Sequence, residues 1–385
     1  MPSYHSMGQV PHKRHTQFRK PDGGLYAEEL FGEEGFSGCY SLLYHEHPPT
    51  RVSRIESGEA AAVERWDPGA HRHHHLKTSD MAAGGDLVTG RQLLMYNQDC
   101  AILVARPSEA MPYFYRNSQG DEVLFVHQGT GALETTFGTL PYGEGDYLVV
   151  PRGTTWRAVA GSGAQRFLIV EAFGGAVQPP KRYRNQYGQL LEHSPYSERD
   201  LRAPSELPRH TEQGDYEVRI RVNGQLVRYH FDFHPLDVVG WDGYLYPYAF
   251  NISDFEPITG RVHQPPPVHQ TFEGPNFVIC SFCPRKLDYH PQAVPVPYNH
   301  SNIDSDEVIY YVSGDFGSRR GIEVSSLTLH PRGIPHGPHP GTVEASLGAD
   351  RTEELAVMID TFRPLHLAAA ARHYDDPQYP LSWLG

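Results

Sequence analysis

Long apolar runs are absent from this 385-residue chain. None approaches the roughly 20 residues that a helical membrane span needs, so no span is expected. Positive charge is scarce too: 33 Lys and Arg stand against 46 Asp and Glu, a net charge of −13. Such a surface is a poor match for a phosphate backbone or an anionic bilayer, so neither nucleic acid nor membrane is expected as a partner. Cysteine is limited to four residues: Cys39 and Cys100 alone, and the pair Cys280-Ser-Phe-Cys283. The pair falls in a strand-like segment, where residues three apart point to opposite faces. A zinc or redox role is therefore not expected of it. Reduced thiols, and a start without a basic stretch ahead of an apolar one, lead to a cytoplasmic expectation.

What the chain does have is Gly 37, Pro 33 and Tyr 23, the composition of many turns joined by strands. Residues 111–174 alternate short apolar runs with glycine and proline turns, the pattern of antiparallel strands in a barrel or sandwich. Residues 177–215 are polar and proline-rich and read as a long connection. Strand-like segments resume near Tyr216, and His366–Arg372 is the best local helix candidate on propensity.

An internal repeat organises the rest. Asn117-Ser-Gln-Gly-Asp-Glu122-Val lies over Asn302-Ile-Asp-Ser-Asp-Glu307-Val. Each copy is followed by an apolar strand ending at a glycine (Gly129, Gly314), then by another strand and Pro-Arg-Gly at 151–153 and 331–333. Two barrels of common design are implied. The copies differ where chemistry would be. Tyr115, Val150 and Trp156 in the first stand where the second has His300, His330 and His336. The first barrel is therefore expected to be metal-free. The second can offer His300, Glu307 and His336 to one ion, two imidazoles and a carboxylate on one face with three positions left open. That arrangement suits a non-haem Fe(II) centre that binds substrate and oxygen together. The polyhistidine run His71–His75 lacks a carboxylate at a fixed spacing and is not expected to hold a native metal. Tyr44-His-Glu-His47 is followed by two prolines and reads as a surface loop.

These residues resemble the cupin superfamily, and within it the homogentisate 1,2-dioxygenase family. Further segments carry the resemblance along nearly the full length: Lys13-Arg-His-Thr-Gln-Phe, Gly23-Gly-Leu-Tyr-Ala-Glu-Glu-Leu and Asp237-Val-Val-Gly-Trp-Asp-Gly. The resemblance implies an all-β, two-barrel cupin (jelly-roll bicupin) with small helical and loop additions. Its expected parts are an N-terminal segment over 1–95, a degenerate barrel with its connection over 96–215, and a metal-bearing barrel over 216–385. It implies Fe(II) on His300, Glu307 and His336, with Asp306 competing with Glu307 because the spacing from the first histidine departs from animal members by one residue. The repeat favours Glu307. It implies His263 as an acid/base, and Tyr298, Asn302, His330 and His336 at the substrate. The loop 314–320 differs from that of animal members, and Arg319 there is the expected contact for the substrate carboxylate. The implied reaction takes homogentisate and O2 to maleylacetoacetate in tyrosine and phenylalanine breakdown. The implied assembly is a homo-oligomer, a trimer or hexamer. Rival readings are a ring-cleaving dioxygenase for another hydroquinone-type acid, a non-oxidative metal cupin such as an isomerase, and a metal-free binding bicupin.

Overall fold

The computed structural model describes residues 3–60, 63–314, 316 and 321–384. Strands dominate, and its helices are short: the longest α-helix described is Thr342–Ser346. No helix among the described residues is long and apolar enough to cross a membrane.

Two barrels are built by the same logic. In the N-terminal barrel the central strand Gly120–Gln128 pairs antiparallel with Asp146–Val150 on one side and Arg166–Phe173 on the other. In the C-terminal barrel Asp306–Ser313 pairs in the same way with Leu327–His330 and Leu355–Thr361. Both central strands are buried on both faces, which explains why they read as continuous apolar runs rather than alternating ones. Alternation decides which residue serves which face. Leu124 and Val126 join Leu103, Leu148, Trp156 and Phe167 inside the first barrel. Val123 and Phe125 face the other way and share one core with Val308, Tyr310 and Ile359 of the second barrel. Ile309 and Tyr311 then point into the second barrel's own, smaller core.

The repeat extends to register. Glu122 lies opposite Val150 and Glu171, and Glu307 lies opposite His330 and Asp360. Tyr115 pairs with Trp156, and His300 forms a bridge with His336 through backbone hydrogen bonds of 2.8 and 2.9 Å. Residues equivalent by sequence are therefore equivalent in the ladder.

Several segments sit elsewhere than their sequence position indicates. His74–Leu76 is the edge strand of the C-terminal barrel sheet, paired with Leu327–His330. His366–Ala368 crosses back to the N-terminal sheet, between Arg91–Tyr96 and Arg65–Trp66. The helix expected over 366–372 is thus a strand followed by a single helical turn at Ala371–Tyr374. Pairing on both edges and burial of Leu367 outweigh the alanine-rich propensity. The strands Gln213–Val222 and Gln225–Phe233 extend the N-terminal barrel's seven-stranded sheet, and Tyr248–Asn251 extends its nine-stranded sheet. Sheet membership therefore argues for drawing the second barrel from about Pro266 rather than from residue 216. The Tyr44–His47 motif is no surface loop. Tyr40–His45 is a strand, and buried His45 is held between Asp237 and Glu29 at 2.9 Å each.

Candidate metal centre

Glu307 is the second residue of the strand Asp306–Ser313 and points into the second barrel. His300 lies on the loop before that strand, and His336 follows the turn after Leu327–His330. The bridge between His300 and His336 brings both imidazoles over the carboxylate. One ligating atom from each of the three lies within 4.8 Å of the others. His300 Nε2 is 3.6 Å from Glu307 Oε2, and His336 Nε2 is 3.4 Å from Glu307 Oε1. His336 Nε2 is buried and, beyond that 3.4 Å approach to Glu307, has no hydrogen-bond partner among the described residues, an arrangement that asks for an ion or a water. Burial pushes the Glu307 carboxyl up, but hydrogen bonds from His300, His330 and His336 prevail and hold it well below the usual carboxylate range. The carboxylate is ionised and the donor set is two imidazoles and one carboxylate, so the residues present fit a divalent transition ion.

Asp306 is committed elsewhere. It accepts from Arg332 N at 2.9 Å, from the Arg332 guanidinium at 2.6 Å and from Leu365 N at 2.7 Å. In the first barrel Asp121 binds Arg152 and Val177 N in the same way. Neighbouring strand residues point to opposite faces, so one carboxylate clamps the turn while the next faces the imidazoles.

The remaining expected residues separate into two groups. His263 is half-buried, and burial pushes its pKa down, favouring the neutral imidazole. Its ring lies 5.2 Å from that of exposed Tyr298, which lies 6.4 Å from that of His300. His263 and Tyr298 line a cavity of about 410 Å³ whose other walls include Val262, Val294, Val296 and Val343. His330, expected at the substrate, is fully buried instead. Its Nδ1 is 2.8 Å from Glu307 Oε1 and its Nε2 is 3.1 Å from the Tyr379 hydroxyl. It lies directly opposite Glu307 in the ladder and on the same face, so it can orient the carboxylate. Asn302 contributes its carbonyl to Gly333 N at 2.7 Å, a contact that ties the ligand loop to the Pro-Arg-Gly turn. Arg319 lies outside the described residues.

Sequence reasoning missed Asp360, Tyr379, Trp383 and the closeness of His73. Asp360 pairs with Glu307 across the ladder, and burial together with the Glu307 charge pushes its carboxyl up to about 8. A lone acid inside the apolar run Leu355–Thr361 is a signal that could have found it. His73 packs 5.5 Å from His330 and 6.0 Å from His336, and Trp383 packs 5.2 Å from His73. Nothing local marks these, since the contacts join residues about 260 or more positions apart.

The N-terminal counterpart of this centre is closed by a cation of its own. Glu122 receives the Arg91 guanidinium at 2.6 Å, with Tyr115 and Asn117 also donating to it. Arg91 also reaches Glu171, which Arg221 covers at 3.0 Å.

Residues 43–252 match the family described as Homogentisate 1,2-dioxygenase N-terminal. Over 385 aligned residues the chain is 46% identical to "Putative dioxygenase SSO1533" of Saccharolobus solfataricus, covering 99% of this chain and 98% of that one. The chain belongs to the homogentisate 1,2-dioxygenase family. Two members named homogentisate 1,2-dioxygenase are more distant. The one from Bradyrhizobium diazoefficiens is 26% identical over 94% of this chain and 87% of its own. The one from Emericella nidulans is 27% identical over 87% and 80%. Among solved structures, the Cupin 2 conserved barrel domain protein from Leptotrichia buccalis covers 78% of this chain and 100% of its own at 9% identity and a TM-score of 0.34.

Proposed function

We propose that the chain is an Fe(II)-dependent ring-cleaving dioxygenase that converts homogentisate and O2 to maleylacetoacetate. The observation that carries this reading is the convergence of His300, Glu307 and His336 on one point in a member of this family. Those three residues would hold the ion. Bound there, Fe(II) would offer open positions at which an electron-rich ring and oxygen meet and exchange electrons.

The protein's own groups have separable tasks. His330 and Tyr379 hold Glu307 in orientation through the 2.8 and 3.1 Å contacts, as outer partners of metal ligands do. His263, neutral near pH 7, is placed to accept the phenol proton at its free ring nitrogen or to hold the phenol by a hydrogen bond. The valines of the 410 Å³ cavity would offer an apolar face to an aromatic ring. Tyr298 and Asn302 shape the mouth of the ligand loop, and Arg319 is proposed to meet the substrate carboxylate. A homo-oligomeric assembly and a cytoplasmic setting remain part of this reading.

A second substrate is favoured by one observation. The relative at 46% identity is named only as a dioxygenase, while those named for homogentisate stand at 26% and 27%. Another hydroquinone-type acid is therefore the alternative. Oxygen uptake by protein loaded with Fe(II) without air, then given homogentisate, tests both. One O2 per homogentisate with a ring-opened product, and none from zinc-loaded protein, supports the first reading. No uptake with iron bound and the same protein active on another dihydroxyaromatic acid supports the second. Neither, with iron bound, overturns the ring-cleaving assignment.

A further inference from the structure

We propose that the metal-free N-terminal barrel retains a binding site for a small neutral phenol, at the position that corresponds to the metal centre of the other barrel. This goes beyond the proposed reaction and does not depend on it. The barrel keeps a cavity of about 470 Å³ bounded by Arg91 and Tyr115, with apolar walls from Val88, Leu93, Leu103 and Leu226. Tyr115, Leu103 and the Arg91 side chain are the deeply buried members of that lining, which makes them its floor. Tyr115 is the register equivalent of His300.

The floor carries one unmet donor, on Arg91, and further unmet polar atoms belong to the residues packed with Arg91 and Tyr115. Arg91 Nη2, Trp156 Nε1 and Glu122 Oε2 are all buried and have no hydrogen-bond partner among the described residues. They belong to one cluster: Arg91 binds Glu122, Tyr115 donates to Glu122, and the Tyr115 and Trp156 rings are 5.2 Å apart. Unmet buried donors and an unmet acceptor together mark a place for a water or a ligand group.

The charges choose the ligand class. Two guanidiniums, Arg91 and Arg221, balance two carboxylates, Glu122 and Glu171. A carboxylate ligand would meet Glu122 and Glu171, and an ammonium would meet Arg91 and Arg221. A hydroxyl group can accept from Arg91, the lining residue with an unmet donor, and brings no charge to upset that balance. The leucine and valine walls then call for an apolar body behind that hydroxyl. A phenol meets both requirements.

Calorimetric titration of the iron-free His336→Ala protein with p-cresol tests this, with toluene and benzoate as comparison probes. The expected result is saturable binding of one p-cresol per chain. It should weaken at least tenfold in Leu226→Trp and in Leu93→Phe, which fill the cavity. Toluene and benzoate should bind at least tenfold more weakly than p-cresol. Using two cavity-filling variants guards against one that fails to fold, and circular dichroism identifies such a failure. No saturable binding, binding unchanged in the folded variants, or benzoate binding as tightly as p-cresol overturns the proposal. So does a crystal grown with p-cresol that shows only ordered water at Arg91.

Discussion

Single residues divide the labour at the centre, and substitutions should separate their tasks. His336→Ala removes a proposed ligand whose Nε2 has only Glu307 nearby among the described residues, so bound iron per chain should fall at least about tenfold by elemental analysis. His330→Ala leaves all three ligands but frees Glu307 to rotate. Metal affinity should drop roughly 10- to 100-fold in a competition titration. Asp306→Asn should keep its iron while losing about 1–3 kcal/mol of stability, because a charged acceptor of three hydrogen bonds is weakened. Iron lost from Asp306→Asn and retained by Glu307→Gln would reverse the ligand assignment. The convergence of His300, Glu307 and His336 was legible because these residues lie close together in sequence or are mirrored in the repeat. The buried position of His330 was not. Two histidines six residues apart look alike on paper, yet the ladder sets His330 directly opposite Glu307, and the turn after that strand carries His336 back to its bridge with His300.

At the scale of elements, the two central strands show one template carrying two different interiors. Asp121 and Asp306 clamp equivalent turns, and Glu122 and Glu307 face equivalent interiors. Where the second barrel offers imidazoles, the first inserts Arg91. A buried carboxylate needs a counter-charge, and a guanidinium supplies it from within the chain. Arg91→Met should therefore cost about 3–5 kcal/mol, because Glu122 would be left buried and uncompensated beside Glu171. Urea denaturation of iron-free protein measures this. A loss below about 1 kcal/mol would mean that the cluster contributes little to the barrel. The pairing of Glu122 with Arg91 was not legible in the sequence, since their strands are not ladder neighbours and nothing in a linear pattern marks them.

For the whole molecule, strand exchange couples the barrels. His74–Leu76 closes the C-terminal sheet and His366–Ala368 enters the N-terminal one, while Val123, Phe125, Val308 and Tyr310 share a core. Thermal unfolding of the iron-free chain is expected as one calorimetric transition. Two well-separated transitions would show that the exchanged strands do not transmit stability. A pH dependence belongs at this scale too, because His45 joins the N-terminal segment to Asp237 across 192 positions. Burial lowers its pKa, but Asp237 and Glu29 outweigh burial and raise it to about 9. The folded state thus holds a proton that the unfolded chain releases near 6.5. Its contribution, roughly 3 kcal/mol, is complete below that value and is lost as pH rises through about 9. Denaturant midpoints measured from pH 6 to 10 should fall for the native protein and stay flatter for His45→Gln.

By itself the sequence determined what is local or repeated. Alternating apolar runs between glycine and proline turns imply strands. The duplicated Asp-Glu-Val and Pro-Arg-Gly units imply two barrels of one design. Two histidines and a glutamate around the second unit, and an aromatic pair around the first, say which barrel can hold an ion. Only the tertiary structure decided matters that depend on which face is inside and which distant strand lies alongside. Among these are the commitment of Asp306 to Arg332, the seat of Asp360 beside Glu307 and the burial of His330. The crossing of His366–Ala368 to the other sheet belongs with them. The physical reason is that a strand's period of two is satisfied equally well with either face inward. The choice is made by hydrogen bonding and burial against partners tens to hundreds of residues away.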